Sequence, residues 1–318
     1  MRLAFLFPGQ GAQTVGMGRA LAERYPEARE VFEAADRALG FRLSEICWSG
    51  PEDRLRETRH AQPALLTHSI AALRLLAGQG VTPSWCAGHS LGEYSACVAA
   101  GALGFEAAVR LVYRRGELMY QAGLERPGTM AAVLGLTRQE AESACAEAAP
   151  AGIVRAANLN APGQIVISGE IPAVERACEI AKARGAKRAI RLEVSGAFHS
   201  PLMASAAQGL REELHAVPFE AARCPIVANV SAEPLQRADE IRRALEEQLL
   251  GAVRWEDSMR RLLASGAEGF VEIGAGKVLR GLLRAIDKDA PSWNVEDPDS
   301  LQAALASLAA GTTAGGGI

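Results

Sequence analysis

Residues 86–96 read CAGHSLGEYSA, and residues 88–92 of this stretch fit the pattern G-x-S-x-G. A short apolar run precedes the serine and a segment of small residues follows it, which is the order of a strand, a sharp turn and a helix. The first glycine would permit the bend, and the second would let the helix pack close behind the strand, leaving the hydroxyl group of Ser90 exposed. Ser90 is therefore a candidate nucleophile, and a chance match in a glycine-rich chain is the alternative.

Apolar runs alternate with helical patterns on both sides of this turn. Residues 3–7 predict a buried strand that stops at a Pro-Gly turn, and helical patterns fill most of the interval up to the second strand. Later segments at 225–230 and 269–273 also predict strands of the same sheet. This alternation predicts an α/β fold, with a hydrolase-like large domain built on a mostly parallel sheet.

A different pattern occupies the middle of the chain. Between residues 126 and 197 the predicted elements follow the order βαββαβ, which is the ferredoxin-like arrangement. We therefore expect a large domain formed by residues 1–125 and 198–286, with a small ferredoxin-like domain inserted at 126–197. Residues 287–318 are polar and end in a glycine-rich run, which predicts a flexible C-terminal tail.

The composition excludes several classes of protein. The net charge of 318 residues is −3 and no basic block is present, which argues against nucleic-acid binding. No apolar run approaches the length of a membrane span, and the N-terminus lacks the features of a signal peptide, so a cytoplasmic protein without membrane contact is expected. The six cysteines form no C-x-x-C pair, so no metal site is predicted.

A serine needs a base to be nucleophilic near neutral pH, and the chain has five histidines. His60 and His215 lie in charged segments and are expected at the surface, whereas His68 is expected to be structural. His89 precedes the candidate nucleophile directly and is expected to point away from it. His199 lies in SGAFHSPLM, on a loop that follows the last strand of the small domain, where catalytic groups are often displayed. It is the candidate base, and an ordinary polar loop residue is the alternative.

No aspartate lies between Ser90 and His199. Hydrolases with this kind of turn usually place an acidic residue between the serine and the histidine to orient the imidazole. The sequence thus argues against a plain esterase, and a neutral acceptor is expected to orient His199.

One arginine falls on an apolar helix face. In the helix predicted for residues 105–123, Arg115 lies near the middle of a stripe of apolar residues. A guanidinium there is costly unless it meets an anion or carbonyl groups, and its planar fork suits a carboxylate. Arg115 is either one half of a salt bridge in the core or a receptor for a substrate carboxylate. The stripe consists of Ala108, Leu111, Val112, Leu118 and Met119.

The loop after the first strand reads PGQGAQ at residues 8–13. It fits neither of the glycine-rich patterns that bind phosphates, so nucleotide binding has little support. The loop is either an ordinary turn or the source of a second backbone donor for an oxyanion.

Seven motifs in the same order resemble the malonyl-CoA:acyl carrier protein transacylases, the acyltransferase family of fatty acid and polyketide synthesis. They cover about residues 1–286. The motifs are PGQGAQ at 8–13, GHSLGEYSA at 88–96, RRGELM at 114–119, NLNAPGQIVISG at 158–169, SGAFHSPLM at 195–203, NVSAEP at 229–234 and VEIGAGKVL at 271–279.

The resemblance implies a role for each matching position. Ser90 would carry the acyl group and His199 would be its base. Gln248 matches a glutamine of the family whose carbonyl group orients the histidine. The backbone N–H groups of Gln10 and Leu91 would form the oxyanion hole.

Four further side chains would bind the substrate by the same resemblance. Arg115 would hold the malonyl carboxylate, and Asn160 would line the cleft beside the small domain. Phe198 matches the residue associated with malonyl, where enzymes for branched substrates tend to carry a smaller one. Met119 would also line the substrate site.

The implied reaction is transfer of malonyl from malonyl-CoA to the phosphopantetheine thiol of a holo acyl carrier protein, through an ester on Ser90. The two thioesters are substrates, and no bound cofactor is expected. A monomer is the expected state. A serine esterase or thioesterase, and a non-catalytic protein that binds acyl carrier protein on the same scaffold, are the alternatives.

Overall fold

The computed structural model describes the backbone of residues 1–313 and the side chains of residues 1–310. Ten strands lie within this part of the chain: β1 (Leu3–Phe7), β2 (Trp85–Gly88), β3 (Thr129–Leu134), β4 (Val154–Ala161), β5 (Gln164–Gly169), β6 (Arg188–Arg191), β7 (Ile226–Val227), β8 (Pro234–Leu235), β9 (Gly269–Ile273) and β10 (Ser292–Val295).

The α-helices of the described residues are α1 (Arg19–Arg24), α2 (Pro26–Leu39), α3 (Leu43–Ser49), α4 (Glu52–Arg56), α5 (Thr58–Gly78), α6 (Gly92–Ala99), α7 (Phe105–Glu125), α8 (Arg138–Ala148), α9 (Ile171–Ala183), α10 (Ala204–Ala216), α11 (Ala238–Gln248), α12 (Trp255–Ala264), α13 (Val278–Ile286) and α14 (Pro298–Thr313). Two short 3-10 helices lie at Ala149–Ala151 and Pro201–Met203.

The larger sheet has the strand order β10-β9-β1-β2-β7-β8. Its strands pair in parallel from β10 to β7, and only the edge strand β8 is antiparallel. All five residues of the central β1 are buried because both faces are covered. Phe5 and Phe7 pack in one core cluster with residues of α2 and α5, whereas Ala4 and Leu6 pack in another with residues of α12 and α13.

The smaller sheet has the order β4-β5-β3-β6 and is antiparallel throughout. With α8 and α9 the chain order is β3-α8-β4-β5-α9-β6, which is the predicted ferredoxin-like arrangement. The two sheets together confirm the predicted α/β fold. The domain limits drawn from the sequence stay predictions.

A short backbone bridge links the small sheet to the large domain. Asn158 of β4 pairs in parallel with Val253, in the loop that follows α11. Leu159 N donates to Val253 O at 2.9 Å, and Val253 N donates to Ala157 O at 2.8 Å. The bridge brings β4, which lines the cleft, beside the end of α11.

The expectation of a flexible tail from residue 287 is wrong for most of that segment. β10 pairs in parallel with β9 and so adds a strand to the large sheet. Helix α14 then buries Leu301, Ala304 and Leu308 in the same core cluster as β1. Without β10, the fully buried strand β9 would form an exposed apolar edge of the sheet. Residues 314–318, which hold most of the glycine-rich run, lie outside the described residues.

Candidate active site

The candidate nucleophile lies on a tight turn between β2 and α6. Ser90 has a φ of 50°, in the left-handed region that non-glycine residues rarely occupy. A Cβ atom on Gly88 would lie 1.9 Å from the carbonyl carbon of Gly92, and one on Gly92 would lie 2.0 Å from the carbonyl oxygen of Phe7. Both positions therefore require glycine for close approach, as the sequence pattern predicts.

Asn229 holds this turn from the side of β7. Its Oδ1 atom accepts from the backbone N–H of Ser90 at 2.7 Å, and its Nδ2 atom donates to the carbonyl oxygen of Gly88 at 2.7 Å. Asn229 is buried, so these bonds are shielded from water. They fix the backbone on both sides of His89 and support the strained conformation of the serine.

His199 contacts the serine directly. Its Nε2 atom lies 2.7 Å from Ser90 Oγ, and its Nδ1 atom lies 2.9 Å from the backbone carbonyl oxygen of Gln248. A carbonyl only accepts, so Nδ1 carries the proton and Nε2 is free to accept from the serine hydroxyl. Burial, followed by the charge of Arg115, lowers the pKa of His199 to about 3. The imidazole is therefore neutral near pH 7, which is the form that a general base requires.

Arg115 approaches the same serine from α7, and its side chain is 1% exposed. Nη1 donates to Gln62 Oε1 at 2.8 Å, and Nη2 donates to Gln248 Oε1 at 3.0 Å and to Ser90 Oγ at 3.3 Å. Among the described residues no carboxylate forms an ion pair with Arg115, so it is not half of a core salt bridge. The site thus holds a buried cation whose acceptors are neutral, within reach of the serine hydroxyl.

These groups open onto a cleft of about 750 Å³. The walls come from the first loop, the turn at the serine and α7 on the large domain, and from β4 and β5 of the small one. The residues predicted from the resemblance that line it are Gln10, Ser90, Leu91, Arg115, Met119, Asn160, Phe198 and His199. Gln248 lies behind this wall and is fully buried.

Two backbone donors in the cleft have no acceptor in the described part of the protein. These are the N–H groups of Gln10, in the first loop, and Leu91, just after the serine. The loop lies against the turn because His89 N donates to Phe7 O at 3.0 Å. Free N–H groups beside a nucleophile can stabilise a developing oxyanion.

The remaining histidines lie away from the nucleophile. His89 Nε2 donates to Asn160 Oδ1 at 2.8 Å, toward the small domain. His68 is buried and bonds to a backbone carbonyl group, and His215 is exposed. The expectation that His60 lies at the surface is wrong. Its charged neighbours Arg56 and Arg59 are exposed, while its own ring is buried and packs against Phe41.

Within residues 1–310, no cluster of three or more histidine, cysteine, aspartate or glutamate side chains is arranged to hold a metal ion. None of the helices described above is long and apolar enough to cross a membrane.

The model of the acyl transferase domain family matches residues 4–297, a range that includes all the residues of the candidate active site. The chain belongs to this acyltransferase family. A malonyl CoA-acyl carrier protein transacylase of Bacillus subtilis is 47% identical over 308 residues, covering 96% of this chain and 97% of the relative. One from Escherichia coli is 45% identical over 305 residues, covering 96% of this chain and 99% of the relative.

A solved structure of a type II PKS acyl-carrier protein in complex with its malonyl-transacylase also superimposes on this acyltransferase. The TM-score is 0.94 at 42% identity, and the match covers 96% of this chain and 100% of that one. The likeness therefore extends over both sheets.

Three residues of the acyltransferase site were missed from the sequence. Asn229 begins a motif that contributed to the resemblance, but nothing in the pattern pointed to its bonds with the serine turn. Glu93 follows the G-x-S-x-G pattern by one residue, where it looked like an ordinary residue of the first helical turn. Gln62 was detectable only as a polar residue on a long apolar helix, α5, where it is fully buried.

Proposed function

We propose that this acyltransferase transfers a malonyl group from malonyl-CoA to the phosphopantetheine thiol of a holo acyl carrier protein, through an ester on Ser90. The observation that carries the proposal is the buried Arg115, which has only neutral partners and lies 3.3 Å from Ser90 Oγ. A carboxylate two bonds from the reacting carbonyl carbon would reach the guanidinium while that carbon faces the serine. The names of the relatives point to the same reaction.

In the first half-reaction His199 Nε2 removes the proton from the hydroxyl group of Ser90. The serine oxygen attacks the thioester carbonyl carbon of malonyl-CoA, and the N–H groups of Gln10 and Leu91 bind the resulting oxyanion. The C–S bond then breaks, and the thiol of CoA leaves with the proton from His199. Each backbone donor to the oxyanion is worth about 3 kcal/mol in the transition state.

The second half-reaction reverses these steps with a different thiol. The phosphopantetheine thiol gives its proton to His199 Nε2 and attacks the malonyl ester, and Ser90 recovers the proton when the ester bond breaks. Gln248 contributes through its backbone carbonyl oxygen, which holds the imidazole in the orientation that both halves need. CoA and phosphopantetheine are substrates in this scheme, so it calls for no resident cofactor.

Arg115 provides the selection for malonyl over acetyl. Two hydrogen bonds from one guanidinium to the free carboxylate match its planar geometry. Acetyl has no carboxylate to bond directly to the guanidinium, which costs affinity in the transition state. Phe198, Asn160 and Met119 would shape the rest of the acyl site.

The test is incubation of the chain with malonyl-CoA and holo acyl carrier protein, with malonyl-carrier and free malonate both measured. Accumulation of malonyl-carrier, lost in Ser90→Ala, is the expected result. Release of malonate alone would establish the hydrolase that the sequence left as an alternative. If neither product appears and no acyl-serine forms, the transferase and the hydrolase are both contradicted. That result would favour the non-catalytic protein that binds acyl carrier protein. We further expect a monomer located in the cytoplasm.

A further inference from the structure

A second buried carboxyl group lies behind the candidate nucleophile. Glu93 is in the first turn of α6 and only 2% exposed. No cation of the described residues forms an ion pair with it. Its Oε2 atom accepts from Gln248 Nε2 at 2.7 Å, and its two oxygens lie 3.3 and 3.4 Å from the backbone N of Asn229. A buried carboxylate is costly, so its hydrogen bonds must be well satisfied.

The side chain of Gln248, which Glu93 contacts, is held by hydrogen bonds on both its NH2 group and its Oε1 atom. Gln248 Nε2 also donates to the backbone oxygen of Ser90 at 2.8 Å, so both amide hydrogens are used. Its Oε1 atom accepts from Arg115 at 3.0 Å, and its backbone oxygen accepts from His199 at 2.9 Å. This single residue therefore contacts the nucleophile, the base and the carboxylate receptor.

We infer that Glu93 is a positioning residue for the transfer reaction and acts through the side-chain amide of Gln248. The inference rests on the proposed function. A carboxylate can only accept, so it forces the NH2 group of Gln248 toward itself and the Oε1 atom toward Arg115. With the amide locked, the backbone of Gln248 holds His199 against Ser90.

A glutamine at position 93 would weaken this control and leave the orientation of the amide to Arg115 and the carbonyl oxygen of Ser90. Its amide group carries donors as well as an acceptor, so Gln248 could turn over and direct its NH2 group at the guanidinium of Arg115. The buried Glu93 carboxylate also compensates the charge of Arg115 across the amide. Burial raises the pKa of Glu93 to about 7, against the hydrogen bonds from Gln248 and Asn229 and the charge of Arg115. Assays at about pH 8 therefore examine the ionised form.

A double-mutant cycle tests the inference. The rate of malonyl loading at saturating malonyl-CoA is measured for the wild-type chain, Glu93→Gln, Gln248→Ala and the double variant. We expect Glu93→Gln to slow loading about tenfold, the effect of one hydrogen bond to a charged group, with a much smaller change in KM. In the Gln248→Ala background the same substitution should have no further effect, because its target is gone.

Glu272 offers a matched control, since it is also a buried glutamate with two hydrogen bonds, but to the backbone N–H groups at the start of α13. Glu272→Gln should lower Tm and leave the loading rate unchanged. If Glu93→Gln loads malonyl at the wild-type rate, or if the losses of rate multiply in the double variant, the inference about Glu93 is overturned while the proposed function stands. If the wild-type chain loads no malonyl, the proposed function and the inference about Glu93 are both overturned. Should Glu93→Gln fail to fold, the same cycle with Glu93→Asp, which keeps the charge but shortens the reach to Gln248, decides in the same way.

Discussion

At the scale of single residues, the proposed chemistry depends on a buried cation beside a nucleophile. Ser90, His199 and Arg115 come from three separate parts of the chain and converge within 3.3 Å of one hydroxyl oxygen. In the proposed reaction the histidine is the base, and the arginine favours an acyl group that carries a carboxylate. Each of these roles predicts a measurable consequence.

Arg115→Ala should lower malonyl transfer about 100-fold, because the malonyl carboxylate loses a charge-assisted partner in a buried site. Acetyl transfer from acetyl-CoA should fall much less, so that the ratio of acetyl to malonyl transfer rises. Arg114→Ala is the matched control, since Arg114 is exposed and pairs with Glu117 and Glu213. Equal losses on both substrates would contradict the proposed receptor.

His199 should stay neutral over the range in which ordinary histidines titrate. NMR shifts of its ring nitrogens should not change between about pH 5 and pH 8, because burial and Arg115 lower its pKa to about 3. Because the pKa of His199 is lower in the folded chain, the unfolded chain takes up the proton at a higher pH as the solution is acidified. The contribution of His199 to stability is therefore full above its ordinary pKa of 6.5 and is lost as the pH falls toward 3. A titration midpoint near 6.5 would contradict this description.

Residue types and spacing were enough to predict Ser90, His199 and Arg115 as candidates, since each is unusual for its local pattern. The absence of aspartate before His199 also indicated a neutral acceptor, and the structure places the Gln248 carbonyl there. The bonds of Asn229 to the serine turn, and those of Glu93 to Asn229 and Gln248, were beyond prediction. They join residues more than 130 positions apart, and no local pattern records such a contact.

At the scale of elements, the turn between β2 and α6 depends on how closely α6 approaches β1. Gly92→Ala should destabilise the fold by about 3 kcal/mol and reduce activity, because the new methyl group would lie 2.0 Å from Phe7 O. Gly78→Ala, at the exposed end of α5 with no neighbouring atom within 4 Å, is the control and should be neutral or stabilising. Denaturant unfolding measures both. A Gly92→Ala variant as stable as the wild type would contradict the close approach.

Elements with a strong local period were predicted closely. The helix expected at 105–123 is α7, which runs from Phe105 to Glu125. A strand was expected at 225–230, but β7 covers only Ile226–Val227, because Asn229 leaves the ladder to hold the serine turn. The short strand β8 was not predicted, since two residues carry no periodic signal.

At the scale of the whole molecule, the C-terminal segment completes the large sheet. Leu301→Ala should lower the free energy of unfolding by about 3 kcal/mol, because this side chain on α14 is buried in the core. The neighbouring Gln302 is exposed, so Gln302→Ala should have little effect. If both variants match the wild type, the segment behaves as the flexible tail that its polar composition suggested. Strand β10 was not predicted from the sequence, because its pairing with β9 is a non-local contact.

The two domains meet at a cleft in which one hydroxyl oxygen faces both a neutral imidazole and a buried guanidinium. The most direct test is the mass of the chain after incubation with malonyl-CoA without a carrier protein. We predict one added malonyl group on the peptide that contains Ser90, absent in Ser90→Ala and removed when holo acyl carrier protein is added. No adduct, an adduct on another residue, or an adduct that the carrier thiol leaves in place would contradict malonyl transfer through this serine.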